Sequence, residues 1–234
     1  NLDAFEPLVI LAKKKGINRF IYASSSSVYG IKNEKNVTED MLLEPLTDYS
    51  KFKAQCEVIL NKYKSDNFIT TTIRPSTVCG YAKRQRLDLV VNILTNHAYH
   101  NKEIKVFGGN QLRPNIHIDD MADLYLFLLD QPDDKIDGKV FNAGYENYTV
   151  MQLAEIVKST VGGDLVIDVE PTDDLRSYHV SSEKMRYELG FEPSHSIEDA
   201  VLGLVDAMKK GRLPNSMNDP KYFNINLMKQ ASLK

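Results

Sequence analysis

The sequence predicts an α/β fold in which helices cover both faces of a parallel sheet. Segments with helical periodicity alternate with short segments rich in β-branched and aromatic residues. Turn and stop residues such as Gly16 and Pro75 separate these segments. Alternation of helix and strand is typical of parallel sheets, because a connection between parallel strands crosses the sheet through a helix.

The first half of the chain contains two helix–strand pairs, each helix with an apolar stripe. In chain order they are a helix over 2–12, a strand over Arg19–Ala23, a helix over 49–63 capped by Thr47 or Asp48, and a strand over 69–74. The second half continues less regularly. Its predicted strands are 105–107, 115–118, 140–142 and 166–169, and its predicted helices are 87–94, 121–129, 151–161, 182–190 and 196–211. Thr149 and Gln152 have the spacing of a capping box.

The composition is that of an ordinary globular protein, with 42% hydrophobic residues, 26% charged residues and a net charge of −3. This balance argues against nucleic acid as a partner. The longest strongly apolar run, 124–129, is too short to cross a bilayer. Two cysteines, Cys56 and Cys79, form neither a disulfide framework nor a zinc site and suit a reducing cytosol. We therefore expect a cytoplasmic protein without membrane partners.

Tyr49 and Lys53 are four residues apart at the start of the second predicted helix, so their side chains share a face. A nearby ammonium favours the phenolate form of a tyrosine and makes it a better base at neutral pH. The spacing is common in a chain with 12 tyrosines, and the alternative is an ordinary surface helix. Glu57, one turn further on, is expected to support Lys53 structurally.

The serine run Ser24–Ser27 follows a predicted strand of the parallel sheet. Open α/β sheets bind their ligands at the carboxyl ends of the strands. A hydroxyl there could bind the same substrate oxygen that Tyr49 deprotonates, whereas the alternative is a solvated turn. The combination of this run with Tyr-x-x-x-Lys in the next helix favours a catalytic site. His117 is expected to be a buried hydrogen-bonding residue, and the spacing of the histidines predicts no metal site.

Four segments in order carry a family resemblance. They are Ala-Ser-Ser-Ser-Ser-Val-Tyr-Gly at 23–30, Tyr49 to Lys53 with Glu57, Arg-Pro-Ser-Thr-Val-Cys-Gly at 74–80, and Arg-Pro-Asn-Ile-His-Ile-Asp-Asp at 113–120. With them the chain resembles the nucleotide-sugar epimerase/dehydratase branch of the extended short-chain dehydrogenase/reductases. The resemblance implies a Rossmann-type doubly wound sheet and a smaller carboxyl-terminal α/β substrate domain. Residues 1–80 and 114–146 would then belong to the dinucleotide-binding domain, and residues 81–113 and 147–234 to the substrate domain.

The resemblance also implies roles for individual residues. Ser25, Tyr49 and Lys53 correspond to the catalytic hydroxyl residue, the acid/base and its partner, and Lys53 would also hold the nicotinamide ribose. The further residues implied to contact the cofactor are Asn1, Ser24 and Pro75. The residues implied to contact a nucleotide-diphosphate sugar are Ser25, Thr77, Arg84, Arg86, Arg113 and Arg176. Arginine suits a diphosphate because its guanidinium group binds phosphate oxygens in pairs; the alternative for each arginine is a surface ion pair.

The serine run narrows the reaction that the resemblance implies. Members that catalyse 4,6-dehydration have Thr-Asp-Glu at the positions of Ser25 to Ser27, and 3,5-epimerases use a cysteine at the position of Ser27. Serine is too weak an acid to replace the acid/base residues that either reaction needs. This leaves redox chemistry at one carbinol carbon, most simply C4. We favour an epimerase; the alternatives are a 4-keto-sugar reductase and a non-catalytic dinucleotide- or sugar-nucleotide-binding relative. A homodimer formed through helices like the one bearing Tyr49 is also expected.

The sequence contains no Gly-x-x-Gly-x-x-Gly segment. We expect this phosphate-binding turn, and with it the first strands of the sheet, to precede Asn1, in roughly 75 to 90 residues because each βαβ unit takes about 30. This chain alone would then be inactive. The acidic residue that selects NAD lies downstream of the same turn, so NAD is expected with NADP as the alternative.

Overall fold

The computed structural model describes residues 2–32, 34–173, 177 and 179–231, in two compact units. The first comprises Asn1–Ser76, Met121–Tyr145 and Arg176–Pro193, and the second comprises Thr77–Asp120, Glu146–Leu175 and Ser194–Lys234. The units differ from the predicted division mainly at two segments. Residues 114–120 were predicted in the dinucleotide-binding domain but belong to the second unit, and residues 176–193 were predicted in the substrate domain but belong to the first. The assignment of one part to a cofactor and the other to a substrate stays a prediction.

The elements are as follows. The α-helices are α1 (Leu2–Lys14), α2 (Asp48–Tyr63), α3 (Val90–Asn101), α4 (Ile118–Leu129), α5 (Asp133–Ile136), α6 (Val150–Val161), α7 (Glu183–Leu189), α8 (Ile197–Lys209) and α9 (Asn224–Gln230). The strands are β1 (Arg19–Ala23), β2 (Ile69–Pro75), β3 (Thr77–Cys79), β4 (Glu103–Phe107), β5 (Leu112–His117), β6 (Lys139–Ala143), β7 (Glu146–Thr149) and β8 (Val166–Glu170). Short 3₁₀ helices cover Ser26–Tyr29 and Pro220–Tyr222. No helix among the described residues is long and apolar enough to cross a membrane.

The first unit contains a parallel sheet with the strand order β1-β2-β6, which confirms the predicted α/β class. In the register of this sheet Ala23 lies opposite Ile73 and Arg74 lies opposite Asn142, so the ends of neighbouring strands meet at one edge. Helices α1 and α2 pack on the sheet through an apolar cluster. Its buried members are Phe5, Val9, Tyr22, Cys56, Leu60 and Phe68.

Local capping explains where α2 and α6 begin. Thr47 caps α2 and Thr149 caps α6, each through a reciprocal pair of side-chain hydrogen bonds to the residue three positions later. Gly16, two residues after the end of α1, has a φ of +76°, a conformation that favours glycine. The chain therefore turns toward β1 at the position that the sequence predicts.

The second unit contains the mixed sheet β3-β5-β7 and the parallel pair β4-β8. Helices α3, α6 and α8 enclose its apolar core, together with β4. The sequence prediction missed β3, β7, the one-turn helix α5 and α9. Strands of three or four residues are too short to show alternation, and α9 lies in a tail that has little periodicity. The predicted helix 87–94 began and ended too early: the helix in the structure runs over Val90–Asn101.

Candidate active site

The serine run at the end of β1 is ordered. The backbone N–H of Ser24 donates to the carbonyl oxygen of Ile73 at 2.7 Å and extends the sheet by one residue. The hydroxyl of Ser25 accepts from the N–H of Ser27 at 3.2 Å and caps the 3₁₀ helix. The hydroxyl oxygens of Ser25 and Ser27 lie 2.9 Å apart. Ser25 as a whole is half-buried.

Lys53 connects α2 to the same strand end. Its ammonium group donates to the carbonyl oxygen of Ala23 at 2.6 Å. The ammonium nitrogen also lies 5.7 Å from the centre of the Tyr49 ring and 5.2 Å from that of Tyr22. Burial lowers the pKa of Lys53. The structure thus brings Tyr49 and Lys53 together and joins Lys53 to the strand that leads into Ser25.

Three tyrosines surround this strand end, and only one of them is open to solvent. Burial raises the pKa of Tyr29 to about 12, against the opposing effect of Arg74. Burial and the neighbouring Cys56 raise the pKa of Tyr22 far above its usual value. The side chain of Tyr49 is 57% exposed. Among the three, Tyr49 alone is suited to exchange a proton with a bound molecule.

A cleft of about 390 Å³ adjoins Tyr49 and Lys53 within the first unit. Its walls come from α1, α2 and β1. The residues that line it are Leu2, Ala4, Phe5, Leu8, Tyr22, Tyr49, Phe52, Lys53 and Cys56. The cleft is mostly apolar, and Lys53 is the one cation among these lining residues.

A buried ion pair lies one helical turn beyond Lys53. Arg74 donates to both carboxylate oxygens of Glu57, at 3.1 Å and 2.7 Å. The same carboxylate accepts a hydrogen bond from the hydroxyl of Ser24. Arg74 also donates to the hydroxyl of Tyr29 at 2.8 Å. These contacts join β1, α2 and β2 next to the serine run.

The other predicted ligand contacts are distributed over both units. Ser24 and Pro75 belong to the first unit, with Pro75 as the last residue of β2. Thr77 and Arg113 lie in the second unit, on β3 and β5. Asn1 and Arg176, predicted to bind the cofactor and the diphosphate, lie outside the described residues.

The two arginines before α3 contact protein groups in the second unit. Arg84 donates to the side-chain oxygen of Asn224 at 3.3 Å, and Arg86 forms an ion pair with Asp88 at 3.0 Å. Arg86 therefore has an ion pair of the kind that stood as the alternative to phosphate binding. Their predicted role with the diphosphate stays a prediction.

A histidine pair in the second unit was not visible from sequence spacing. The rings of His117 and His195 stack with centres 4.6 Å apart. His117 Nδ1 accepts from the backbone N–H of Asp119 at 3.1 Å, and His195 Nδ1 lies 2.8 Å from the buried carboxylate of Asp120. Ligand atoms of His117, Asp119 and His195 lie within 4.8 Å of one another. In this structure both rings use their Nδ1 atoms in contacts with protein groups.

This pair predicts a pH-dependent stability. The hydrogen bond to Asp120 raises the pKa of His195. Burial alone would raise the pKa of Asp120, but its hydrogen bonds from His195 and Ser194 lower it. The stabilisation by charged His195 is fully present below the unfolded pKa of about 6.5 and is lost as pH rises through the raised folded pKa. We expect His195→Asn to destabilise the protein most between about pH 4.5 and 6.5, measured by urea unfolding.

His97→Asn is the matched control with the opposite sign. Burial lowers the pKa of His97, so its protonation favours the unfolded state and the wild type loses stability as pH falls. The advantage of the wild type over His97→Asn is therefore expected to grow with pH. A destabilisation by His195→Asn that stays constant from pH 5 to pH 8 would contradict the role of its charge.

The comparisons with known proteins identify the family. A model of the NAD dependent epimerase/dehydratase family matches residues 1–144, and the chain belongs to this family. The chain is 26% identical over 210 residues to a UDP-glucose 4-epimerase of Corynebacterium glutamicum, covering 79% of this chain and 63% of that protein. It is 27% identical over 224 residues to a dTDP-D-glucose 4,6-dehydratase of Mus musculus, covering 90% of this chain and 61% of that protein.

The fold is also that of solved members of the family. The structure matches a UDP-glucuronic acid 4-epimerase of Bacillus cereus, solved with UDP-glucuronic acid and NAD, with a TM-score of 0.79 and 25% identity. The match covers 89% of this chain and 67% of the other. The chain thus spans less than two thirds of the length of the two curated relatives above and about two thirds of this structure. Epimerases and dehydratases both stand among these relatives, so the comparisons do not select one reaction.

Proposed function

We propose that this chain carries the catalytic residues of an NAD-dependent nucleotide-sugar epimerase, which oxidises and re-reduces one sugar carbinol, most simply at C4. The observation that carries the proposal is the contact of Lys53 with both Tyr49 and the carbonyl oxygen of Ala23, two residues before Ser25. It supplies a phenol beside a cation, and a hydroxyl at a strand end. The family to which the chain belongs supports the same reading.

Each residue has a distinct role in the proposed reaction. Tyr49 takes the proton from the C4 hydroxyl during oxidation and returns it during reduction. Lys53 acts beside Tyr49, with its ammonium nitrogen 5.7 Å from the centre of the Tyr49 ring. The Ser25 hydroxyl donates to the C4 oxygen while its charge changes. Ser25 is half-buried after the end of β1, and its hydroxyl also contacts that of Ser27 at 2.9 Å.

The donors at this edge of the sheet fit a dinucleotide. An ammonium group has three N–H donors, and the contact of Lys53 with Ala23 uses one of them. The others are suited to the hydroxyls of a nicotinamide ribose. Bound NAD would accept the hydrogen of the carbinol carbon and give it back. Ser24 and Pro75 are proposed to line the same site, with NADP as the alternative cofactor.

The substrate is proposed to be a nucleotide-diphosphate sugar. Arg84, Arg86 and Arg113 would hold the diphosphate, and Thr77 would face the sugar. Two bacterial relatives are UDP-glucose 4-epimerases by name, which supports this substrate class. The two cysteines are free and buried, as a reducing cytoplasm would keep them.

A reductase that consumes a 4-keto sugar is the second candidate, because the same three residues would serve it. The test is to incubate the full-length protein with NAD and a panel of UDP- and dTDP-sugars, and to measure products and cofactor together. An epimerase interconverts two sugar nucleotides without net change in NADH. Consumption of NADH in proportion to a keto-sugar would instead support the reductase, and binding without turnover would support a non-catalytic relative.

A homodimer formed through α1 and α2 is part of the proposal. These helices expose apolar side chains at Leu8, Leu11, Phe52 and Val58, and a face of this kind is typical of an interface between subunits. We expect Leu8→Glu to convert a dimer to a monomer at micromolar concentration in light-scattering chromatography. Leu202→Glu, at a position of equal exposure on α8, is expected to remain dimeric. A monomeric wild type would contradict this part of the proposal.

A further inference from the structure

We propose that Ser24, Glu57 and Arg74 form a positioning unit that holds the strand end in the geometry Lys53 and Ser25 need. This inference rests on the proposed function, because it concerns the residues assigned to that reaction. Ser24 is also proposed to line the cofactor site, but none of the three is proposed to touch the reacting atoms. They would act through the peptide group that joins Ala23 to Ser24.

That peptide group is held from three sides. Its carbonyl oxygen, on Ala23, accepts the hydrogen bond from Lys53 at 2.6 Å. Its N–H, on Ser24, donates to Ile73 in β2 at 2.7 Å. The side chain of Ser24 then donates to the carboxylate of Glu57. A shift of this one peptide group would therefore move both the anchor of Lys53 and the residue that follows, Ser25.

Glu57 links this strand end to the helix that carries the proposed acid/base. It lies on α2 one turn after Lys53 and two turns after Tyr49, so all three project from one region of the helix. Because Glu57 binds Ser24, the residue directly after β1, this contact couples the position of the helix to that of the strand end. The contact between Glu57 and Ser24 therefore helps to set the distance between Lys53, on the same helix, and the carbonyl oxygen of Ala23.

Arg74 holds Glu57 in turn. Its two hydrogen bonds to Glu57 are bidentate, the geometry that orients a carboxylate most strictly. Arg74 is itself fixed by the Tyr29 hydroxyl and by the carbonyl oxygen of Glu39, at 2.8 Å and 3.1 Å. The side chains of Arg74 and Glu57 are only 6% and 9% exposed, so solvent does not compete for these contacts. The orientation of Glu57 is set by the protein alone.

The test uses Ser24→Ala in the full-length protein, because this change removes the contact with Glu57 while the buried ion pair stays intact. Thr71→Val is the matched control. Thr71 lies in β2 of the same sheet, and the change removes a buried hydroxyl that makes one hydrogen bond, to the carbonyl oxygen of Ile136 in α5. Two readouts are measured for each variant. The first readout is steady-state kinetics, which give kcat and KM for the sugar nucleotide as separate values. The second is the rate at which Lys53 is reductively methylated in the absence of substrate, followed by peptide mass spectrometry.

A positioning role predicts that Ser24→Ala lowers kcat by about tenfold with KM within about twofold, since small misplacements of catalytic groups act on the reacting geometry. It also predicts that Lys53 is methylated about fivefold faster, since its anchor is loosened. Thr71→Val is expected to change neither. If Lys53 methylation and kcat of Ser24→Ala match those of Thr71→Val, the positioning role is overturned. A wild type without any turnover would refute the proposed function, whereas the methylation rates would still report on the anchor of Lys53.

Discussion

Replacing Tyr49 with phenylalanine is expected to lower kcat by about 10²–10⁴-fold, the usual loss when a general acid–base group is removed. The phenol is the proton carrier in the proposed reaction, and phenylalanine keeps the ring that lies beside Lys53. Binding of the sugar nucleotide is therefore expected to change little. Steady-state kinetics with the full-length protein, together with calorimetric titration of the sugar nucleotide, measure the two effects separately.

The neighbouring tyrosines make this prediction specific. Tyr22 and Tyr29 are buried, and their raised pKa values keep them protonated at neutral pH. Neither could replace Tyr49 as the base. Tyr187→Phe, at an exposed position on α7, is the control and is expected to leave kcat within about twofold of the wild type. Activity of Tyr49→Phe near that of the control would show that the proton moves through another group.

Replacing Arg74 with methionine is expected to lower the free energy of unfolding by about 3–5 kcal/mol, because it leaves the carboxylate of Glu57 buried without its counter-charge. Both side chains are almost fully enclosed. The double variant Arg74→Met with Glu57→Met removes the stranded charge and is expected to recover part of the loss. Urea unfolding followed by circular dichroism measures all of these values.

Lys139→Met is the matched control for the ion pair in the same unit. Lys139 pairs with Glu188 at 2.6 Å, but both side chains are about one third exposed. An exposed pair of this kind contributes about 0.2–1 kcal/mol. If Arg74→Met costs no more than Lys139→Met, the ion pair with Glu57 is not an organising contact, and the positioning unit built on it would lose its support.

The parallel α/β class was predictable from the sequence because helix and strand periodicities alternate clearly in the first half of the chain. The caps at Thr47 and Thr149 were predictable for a similar reason, since a capping residue and its partner lie three positions apart. The approach of Tyr49 and Lys53 likewise follows from one turn of helix. Contacts within four residues on a regular element can be read from spacing.

Contacts between distant segments could not be predicted in this way. The sequence indicates only that Glu57 supports Lys53, whereas the structure joins Glu57 to Ser24, 33 residues earlier, and to Arg74, 17 residues later. The pairing of His195 with Asp120 spans 75 residues. Such contacts depend on strand register and on which side chains share a buried space, and neither leaves a periodic signal in the chain.

The most direct test of the account follows the hydrogen at the reacting carbon. The full-length protein is incubated with NAD and a sugar nucleotide that carries deuterium at C4, and the product is examined by mass spectrometry and NMR. We predict that the epimeric product keeps deuterium at C4 without incorporation of solvent hydrogen, since the carbon is oxidised and re-reduced within one bound complex. Loss of the deuterium to water would contradict that chemistry, and so would its permanent transfer to the cofactor.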